Sequence, residues 1–284
     1  MAHPLLFRGA MRDEARTSRT YLSSLGAAVL VALAVAGCAS SGVNQGDVNL
    51  ISLEQEWQLG QQLERDLARQ LSINNDSVIN GYVDRLGRRL VAQTEMANLP
   101  WKFHVVNSPE VNAFNIPGGH VYVHTGLIAN SDNVAELAGV MAHEIAHGVS
   151  RHGTEQLTRV YGLNILAGAL LGNDPAAYER ILAQIVGTGT IARFSRSAEE
   201  ESDRLGVRYM YEAGYDPNGM VTMFQSLLEQ RRRQPSSVDQ FFSSHPLTED
   251  RIRDTRNMVA QLPAKSGLVS RDPAYQNVRQ RAAR

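Results

Sequence analysis

The chain has 284 residues, a formal net charge of −1, 43% hydrophobic residues and 20% charged residues. That length suffices for one large domain or two small ones, and the balance is ordinary for a globular core. No stretch concentrates basic residues with aromatics, which disfavours a nucleic-acid partner.

The first 38 residues differ from the rest. Arg8, Arg12, Arg16 and Arg19 precede an uncharged run from Leu25 to Ala36, followed by Gly37 and Cys38. The run makes about 18 Å of helix against a hydrocarbon core of about 30 Å, so it reads as a secretory signal rather than a membrane span. Val35-Ala36-Gly37-Cys38 resembles the bacterial lipobox. The resemblance implies a signal peptide over 1–37, diacylglycerol on the Cys38 thiol and a domain outside the cytoplasm. With Ala39 after the cysteine, it implies an outer-membrane lipoprotein facing the periplasm in a two-membrane bacterium. Cys38 is the only cysteine, so any metal ligand must be His, Asp or Glu. Residues 38–50 read as a flexible tether, leading into a folded domain over 51–262.

In that domain, apolar residues at helical spacing predict scaffold helices from Leu53 to Leu71 and from about Ser77 to Gln93. Trp101–Val106 alternates as a strand. His120–Thr125 reads as another, with Val121 and Val123 toward the core and His120, Tyr122 and His124 on the opposite face. His120 and His124 would lie about 13 Å apart along a strand, too far to share an ion.

Ser131-Asp132-Asn133 caps a helix containing His143-Glu144-Ile145-Ala146-His147. Small and aliphatic residues almost all round predict a buried helix, and a buried His-Glu-His set must find partners. One turn apart, His143 and His147 can aim both imidazoles at one ion, while Glu144 can reach a water bound to it. This is the signature of a zinc peptidase helix.

Residues 154–172 read as a second apolar helix, and another helical stretch follows Asp174-Pro175, loosened by Gly187-Thr188-Gly189-Thr190. The helix Phe194–Ala213 then sets Glu199 and Asp203 one turn apart. A glutamate from this helix can complete His-His-Glu ligation and leave the fourth position for water; composition does not choose among Glu199, Glu200 and Glu201. Asp203 is placed to accept the free ring N–H of a ligating histidine. A helix from Asp216-Pro217 to Arg233, a loop, and a final helix from Thr248 to Leu262 precede a tail over 263–284 expected to be loosely ordered.

Four blocks resemble the M48 family of zinc metallopeptidases: Asn112-Ala113-Phe114 with Pro117-Gly118-Gly119, His143-Glu144-x-x-His147, Ser195-Arg196-x-x-Glu199-x-x-x-Asp203, and Ser244-His245-Pro246 with Arg251-Ile252. The resemblance implies an α+β fold, a mostly helical zincin-type domain with a small β-sheet beside the active-site helix. It selects Glu199 as third ligand to one Zn²⁺ and Glu144 as catalytic base. It also brings His245 close to the metal, as an extra ligand or as an oxyanion stabiliser. Asn112, Phe114, Gly118 and Gly119 would lead into an edge strand to which a substrate peptide adds. The implied function is a zinc endopeptidase that degrades or processes misfolded or unassembled cell-envelope proteins, held at a membrane through Cys38. The alternative is a lipid-anchored chaperone or assembly factor with a structural or vestigial zinc site.

Overall fold

The computed structural model describes residues 51–162, 168–169, 172–188 and 193–284. The expected signal peptide, Cys38 and tether lie outside these residues, as do most of the apolar run 163–171 and Gly189-Thr190.

Helix α1 (Leu53–Gln70) opens with a reciprocal cap between Ser52 and Gln55 and buries Leu59, Leu63 and Leu67. Helix α2 (Ser77–Val91) is capped by Asp76, whose side chain accepts from the N–H groups of Val78 and Ile79, and buries Ile79, Val83, Leu86 and Leu90. Strands β1 (Lys102–Val106), β2 (Ala113–Ile116) and β3 (His120–His124) form one sheet in the order β1-β3-β2. β1 runs parallel to β3, with His104 opposite Tyr122; β2 runs antiparallel to β3, with Phe114 opposite Tyr122.

Two expectations change here. The strand 120–124 is central, and the edge strands are β1 and β2, the latter within the block read as only leading into one. All four β2 residues are buried, so no polar alternation marked it as a strand. Nor is the His120–Tyr122–His124 face a polar exterior, because every residue of β3 is buried. Leu59, Leu63 and Leu67 of α1 cover this face together with Ala177, Ile181 and Ile185 of α6 (Pro175–Thr188), packing on Phe114, Ile116 and Tyr122. On the opposite face Phe103 meets α2 where Gly87 leaves room: a Cβ there would stand 2.3 Å from the ring.

A short helix α3 (Thr125–Asn130) leads into α4 (Val134–Val149), buried along nearly its whole length. Arg151 adopts a left-handed conformation, φ +57°, and turns the chain sharply into α5 (His152–Tyr161). Helices α7 (Arg196–Glu212) and α8 (Asn218–Arg233) pack on α4. At Gly219 the approach is backbone to backbone, since a Cβ there would fall 2.3 Å from the carbonyl carbon of Ala135. A 3-10 turn (Pro235–Ser237) and α9 (Asp239–Ser244) bring His245 under α4, and α10 (Glu249–Ala260) follows. Among the described residues, no helix is long and apolar enough to cross a membrane.

The tail is not loose. Pro273–Ala282 forms helix α11, capped by Asp272, and packs on α2 and α3. Tyr275 is fully buried and donates its hydroxyl to the carbonyl of Ile128 at 2.8 Å. Its buried face consists of only Tyr275 and Val278 among polar residues, so the sequence carries little helical periodicity there.

Candidate metal centre

Four side chains from three segments converge beneath α4. His143 and His147 project from consecutive turns of α4, Glu199 from the first turn of α7, and His245 from the residue after α9. Their donor atoms lie close together: His143 Nε2 to His147 Nε2 is 3.1 Å, His147 Nε2 to Glu199 Oε1 3.3 Å, and His143 Nε2 to Glu199 Oε2 3.5 Å. His245 Nδ1 stands 3.3 Å from His143 Nε2 and 2.9 Å from Glu199 Oε1. Ligands bonded at about 2.0–2.1 Å to a tetrahedral ion are separated by about 3.3 Å. The residues present therefore fit one metal ion, and all four are buried.

Buried histidines so close together need their outer nitrogens held. His143 Nδ1 lies 3.0 Å from Asp203 Oδ1, one turn beyond Glu199 on α7. His147 Nδ1 lies 3.0 Å from His152 Nδ1, and His152 Nε2 lies 3.1 Å from Glu201 Oε2. With Nε2 of His147 turned toward the shared centre, its Nδ1–H donates to His152 Nδ1. The remaining N–H of His152 then donates to Glu201. Phe194 stacks on the His147 ring at 4.1 Å between centroids.

Arg251, only 5% exposed, closes the acidic side. It donates from Nε and Nη2 to the two oxygens of Asp203 at 2.8 and 2.7 Å, and from Nη1 to Glu199 and to the carbonyl of Pro246. One guanidinium thus ties α7 to the turn carrying His245.

The charges follow from these contacts. Burial works against a charge on Glu199, yet His245, His143 and His147 hold its carboxyl well below the usual range. Burial likewise opposes a charge on His143, but Asp203 and Glu199 outweigh it and lift the imidazole to about 9. Burial pushes His147 well down. Glu144 is also buried; its carboxylate oxygens accept no well-directed hydrogen bond, and burial pushes its carboxyl up. His245 Nε2 stands 3.3 Å from Glu144 Oε1, so His245 touches both the ligand group and the acid beside it.

Not every residue singled out in the sequence reaches this cluster. Phe114 stacks face to face on Tyr122, 4.8 Å between centroids, in the core beneath α1. Gly118 and Gly119, both at positive φ, form the β2–β3 turn; Gly118 approaches Gly60 of α1, and Gly119 approaches the rings of Trp57 and Trp101. Asn112 is buried just before β2, donates to Gln240 at 3.2 Å and accepts from the N–H of His124 through its carbonyl. His152 and Glu201 were missed. One oxygen of Glu201 pairs with Arg204 at 3.3 Å, and its other oxygen meets His152. An i, i+5 spacing from His147 gave no reason to join the two histidines, because the left-handed turn at Arg151 makes the contact.

Comparison with known proteins agrees with this geometry. The sequence profile of Peptidase family M48 matches residues 77–259. The chain is 34% identical over 223 residues to the beta-barrel assembly-enhancing protease of Escherichia coli (strain K12), covering 75% of this chain and 45% of that protein. It is 37% identical over 223 residues to the putative beta-barrel assembly-enhancing protease of Vibrio cholerae, covering 75% and 46%. Against the mitochondrial metalloendopeptidase OMA1 of Schizosaccharomyces pombe, identity is 32% over 186 residues, covering 65% and 54%. The chain thus spans about half the length of these curated relatives. With the profile match running from α2 through the metal centre to α10, the chain belongs to peptidase family M48.

Proposed function

We propose that the protein is a zinc-dependent endopeptidase acting on misfolded or unassembled cell-envelope proteins. The observation that carries the reading is the tetrahedral spacing of donors on His143, His147 and Glu199, with the buried, sparsely bonded Glu144 beside them. The envelope setting is supported by relatives named for β-barrel assembly and by the lipobox-like sequence ending at Cys38.

His143, His147 and Glu199 would hold the ion. When bound, Zn²⁺ supplies Lewis-acid polarisation of a peptide carbonyl and acidification of a water. Glu144 accepts the proton of the attacking water and returns it to the leaving amine. A carboxyl raised by burial is matched to both transfers. Asp203 and His152 hold the ligand imidazoles in the tautomer that leaves each Nε2 free. His245 is the fourth donor and the neighbour of Glu144, so substrate entry requires it to yield its place; once displaced, it can donate to the developing oxyanion. Substrate backbone would pair along the edge strand β2. Anchorage through Cys38 would hold this domain at the periplasmic face of an outer membrane.

A second reading draws on the same four donors: a site filled entirely by protein ligands is the arrangement of a structural metal, and it would suit a lipid-anchored chaperone. Cleavage of casein by the zinc-loaded protein and by Glu144→Gln separates the two. Loss of cleavage with zinc retained supports the peptidase. Equal cleavage by both proteins refutes the assignment of Glu144, and no cleavage by either favours the chaperone.

A further inference from the structure

A second group of metal-ligating side chains lies away from this centre, on the sheet face covered by α1. His104 of β1 and His120 of β3 come from adjacent parallel strands, and Glu64 reaches them from α1. His104 Nε2 is 3.4 Å from His120 Nδ1 and 3.6 Å from Glu64 Oε1; His120 Nδ1 is 3.8 Å from Glu64 Oε2. These separations are slightly wider than those in the first centre and would close onto one ion with side-chain shifts of a few tenths of an ångström.

We propose that Glu64, His104 and His120 form a second site for a borderline divalent transition metal, Zn²⁺ or an ion of similar preference, which ties α1 to β1 and β3. Two imidazoles and one carboxylate are the donor set such ions select over calcium or magnesium. Burial pushes both imidazoles down, His120 to about 4, so each is neutral with a lone pair available at neutral pH. Access comes from one side: His120 is 2% exposed, while the side chains of His104 and Glu64 are 19% and 20% exposed. That leaves an outward position for water. His104 is also braced by stacking on Tyr122, 4.5 Å between ring centroids, which limits its freedom to turn away from His120 and Glu64.

One group competes for the place. Lys102 Nζ donates to both oxygens of Glu64, at 2.9 and 2.6 Å. Its side chain is 50% exposed and can swing into solvent, so an entering dication displaces an ammonium from the same carboxylate. The competition makes the proposal testable from both directions.

The test is metal counting on the purified chain, stripped with chelator and titrated with Zn²⁺. The wild type is expected to bind two equivalents, His104→Gln/His120→Gln one, and His143→Ala/His147→Ala one. In the last background, Lys102→Met is expected to tighten the remaining site at least tenfold. Saturating that site is expected to raise the unfolding midpoint by about 5–10 °C at a hundredfold excess of metal over Kd. A single equivalent in the wild type, unchanged by His104→Gln/His120→Gln, overturns the second site and leaves the first untouched. One equivalent retained in His143→Ala/His147→Ala, and lost when His104→Gln/His120→Gln is added, supports the second site whatever the first site binds; none retained overturns it. Unchanged or weaker affinity in Lys102→Met overturns the placement of the ion at Glu64; made in the wild-type background, where the second equivalent is read, this variant keeps every proposed ligand should a double variant fail to fold.

Discussion

Arg251 grips Asp203 with two parallel hydrogen bonds, Nε to Oδ2 at 2.8 Å and Nη2 to Oδ1 at 2.7 Å, where both side chains are at least 95% shielded. The fork geometry matters more than the charge. It sets Asp203 at the angle that presents Oδ1 to His143 Nδ1, and the third nitrogen holds Glu199 against the histidines. Arg251→Met would leave two buried carboxylates without their counter-ion. The expected cost is about 3–5 kcal/mol in urea unfolding. Arg251→Lys should recover only part of it, since an ammonium cannot span both oxygens. Full recovery by lysine would mean that the charge alone suffices.

The second outer contact makes a separate claim. His152→Ala removes the acceptor of His147 Nδ1–H, and metal affinity is expected to fall about 10–100-fold, read by competition with a chromogenic chelator. Glu201→Gln keeps an acceptor for His152 Nε2–H and should fall less. A positioning role predicts loss in metal affinity and in kcat with little change in KM. Unchanged metal affinity in His152→Ala would leave His152 with a packing role alone.

The C-terminal helix offers a stability prediction remote from the chemistry. Tyr275 fills the space between α2 and α3, its ring 5.7 Å from that of Tyr82, and Arg279 donates from Nε to the carbonyl of Ala129 at 2.9 Å. Tyr275→Ala should cost about 3–5 kcal/mol, as expected for deleting a buried aromatic side chain. Tyr275→Phe, which strands the carbonyl of Ile128, should cost about 1–2 kcal/mol. Because α3 feeds directly into the metal-bearing helix α4, loss of α11 is also expected to weaken metal retention. A chain ending after Leu262 with undiminished stability would contradict this.

Local pattern carried much of the fold. Ser52, Asp76, Asn133, Ser195 and Thr248 all cap helices within a residue or two of the predicted starts, because capping is decided by the side chain and the next three N–H groups. The i, i+4 pairs on α4 and α7 were legible for the same reason: helix geometry alone brings His143 toward His147 and Glu199 toward Asp203. What sequence could not carry was the meeting of elements. The partnership of His152 with His147 depends on one positive φ at Arg151, and that of His104 with His120 depends on strand order. The edge position of β2 was hidden because packing buries both of its faces, erasing the polar alternation by which a half-exposed strand is recognised. Choosing Glu199 over its neighbours rested on family resemblance; in the fold, helix phase directs Glu199 to the histidines, Glu200 outward to Arg196 and Glu201 to His152.

His124 sets a pH limit on the fold. It ends β3, is 5% exposed, and burial pushes its imidazole down to about 4 from the usual value of about 6.5. Well above pH 6.5 the ring is neutral in both the folded and the unfolded chain and contributes nothing to the pH dependence. As pH falls from about 6.5 to about 4, the unfolded chain takes up a proton that the folded chain refuses, so stability is lost across that window. Between pH 7 and pH 5 the loss from this residue should be about 2 kcal/mol. His124→Gln removes the titration and keeps a polar side chain of similar size at the strand end. The urea midpoint of the wild type should therefore drop more steeply between pH 7 and pH 5 than that of His124→Gln. Taking the difference between the two proteins cancels the contribution of every other titrating group that the substitution leaves undisturbed. Parallel pH profiles would show that the folded chain accommodates a charged imidazole at position 124, and that burial there is not what holds it neutral.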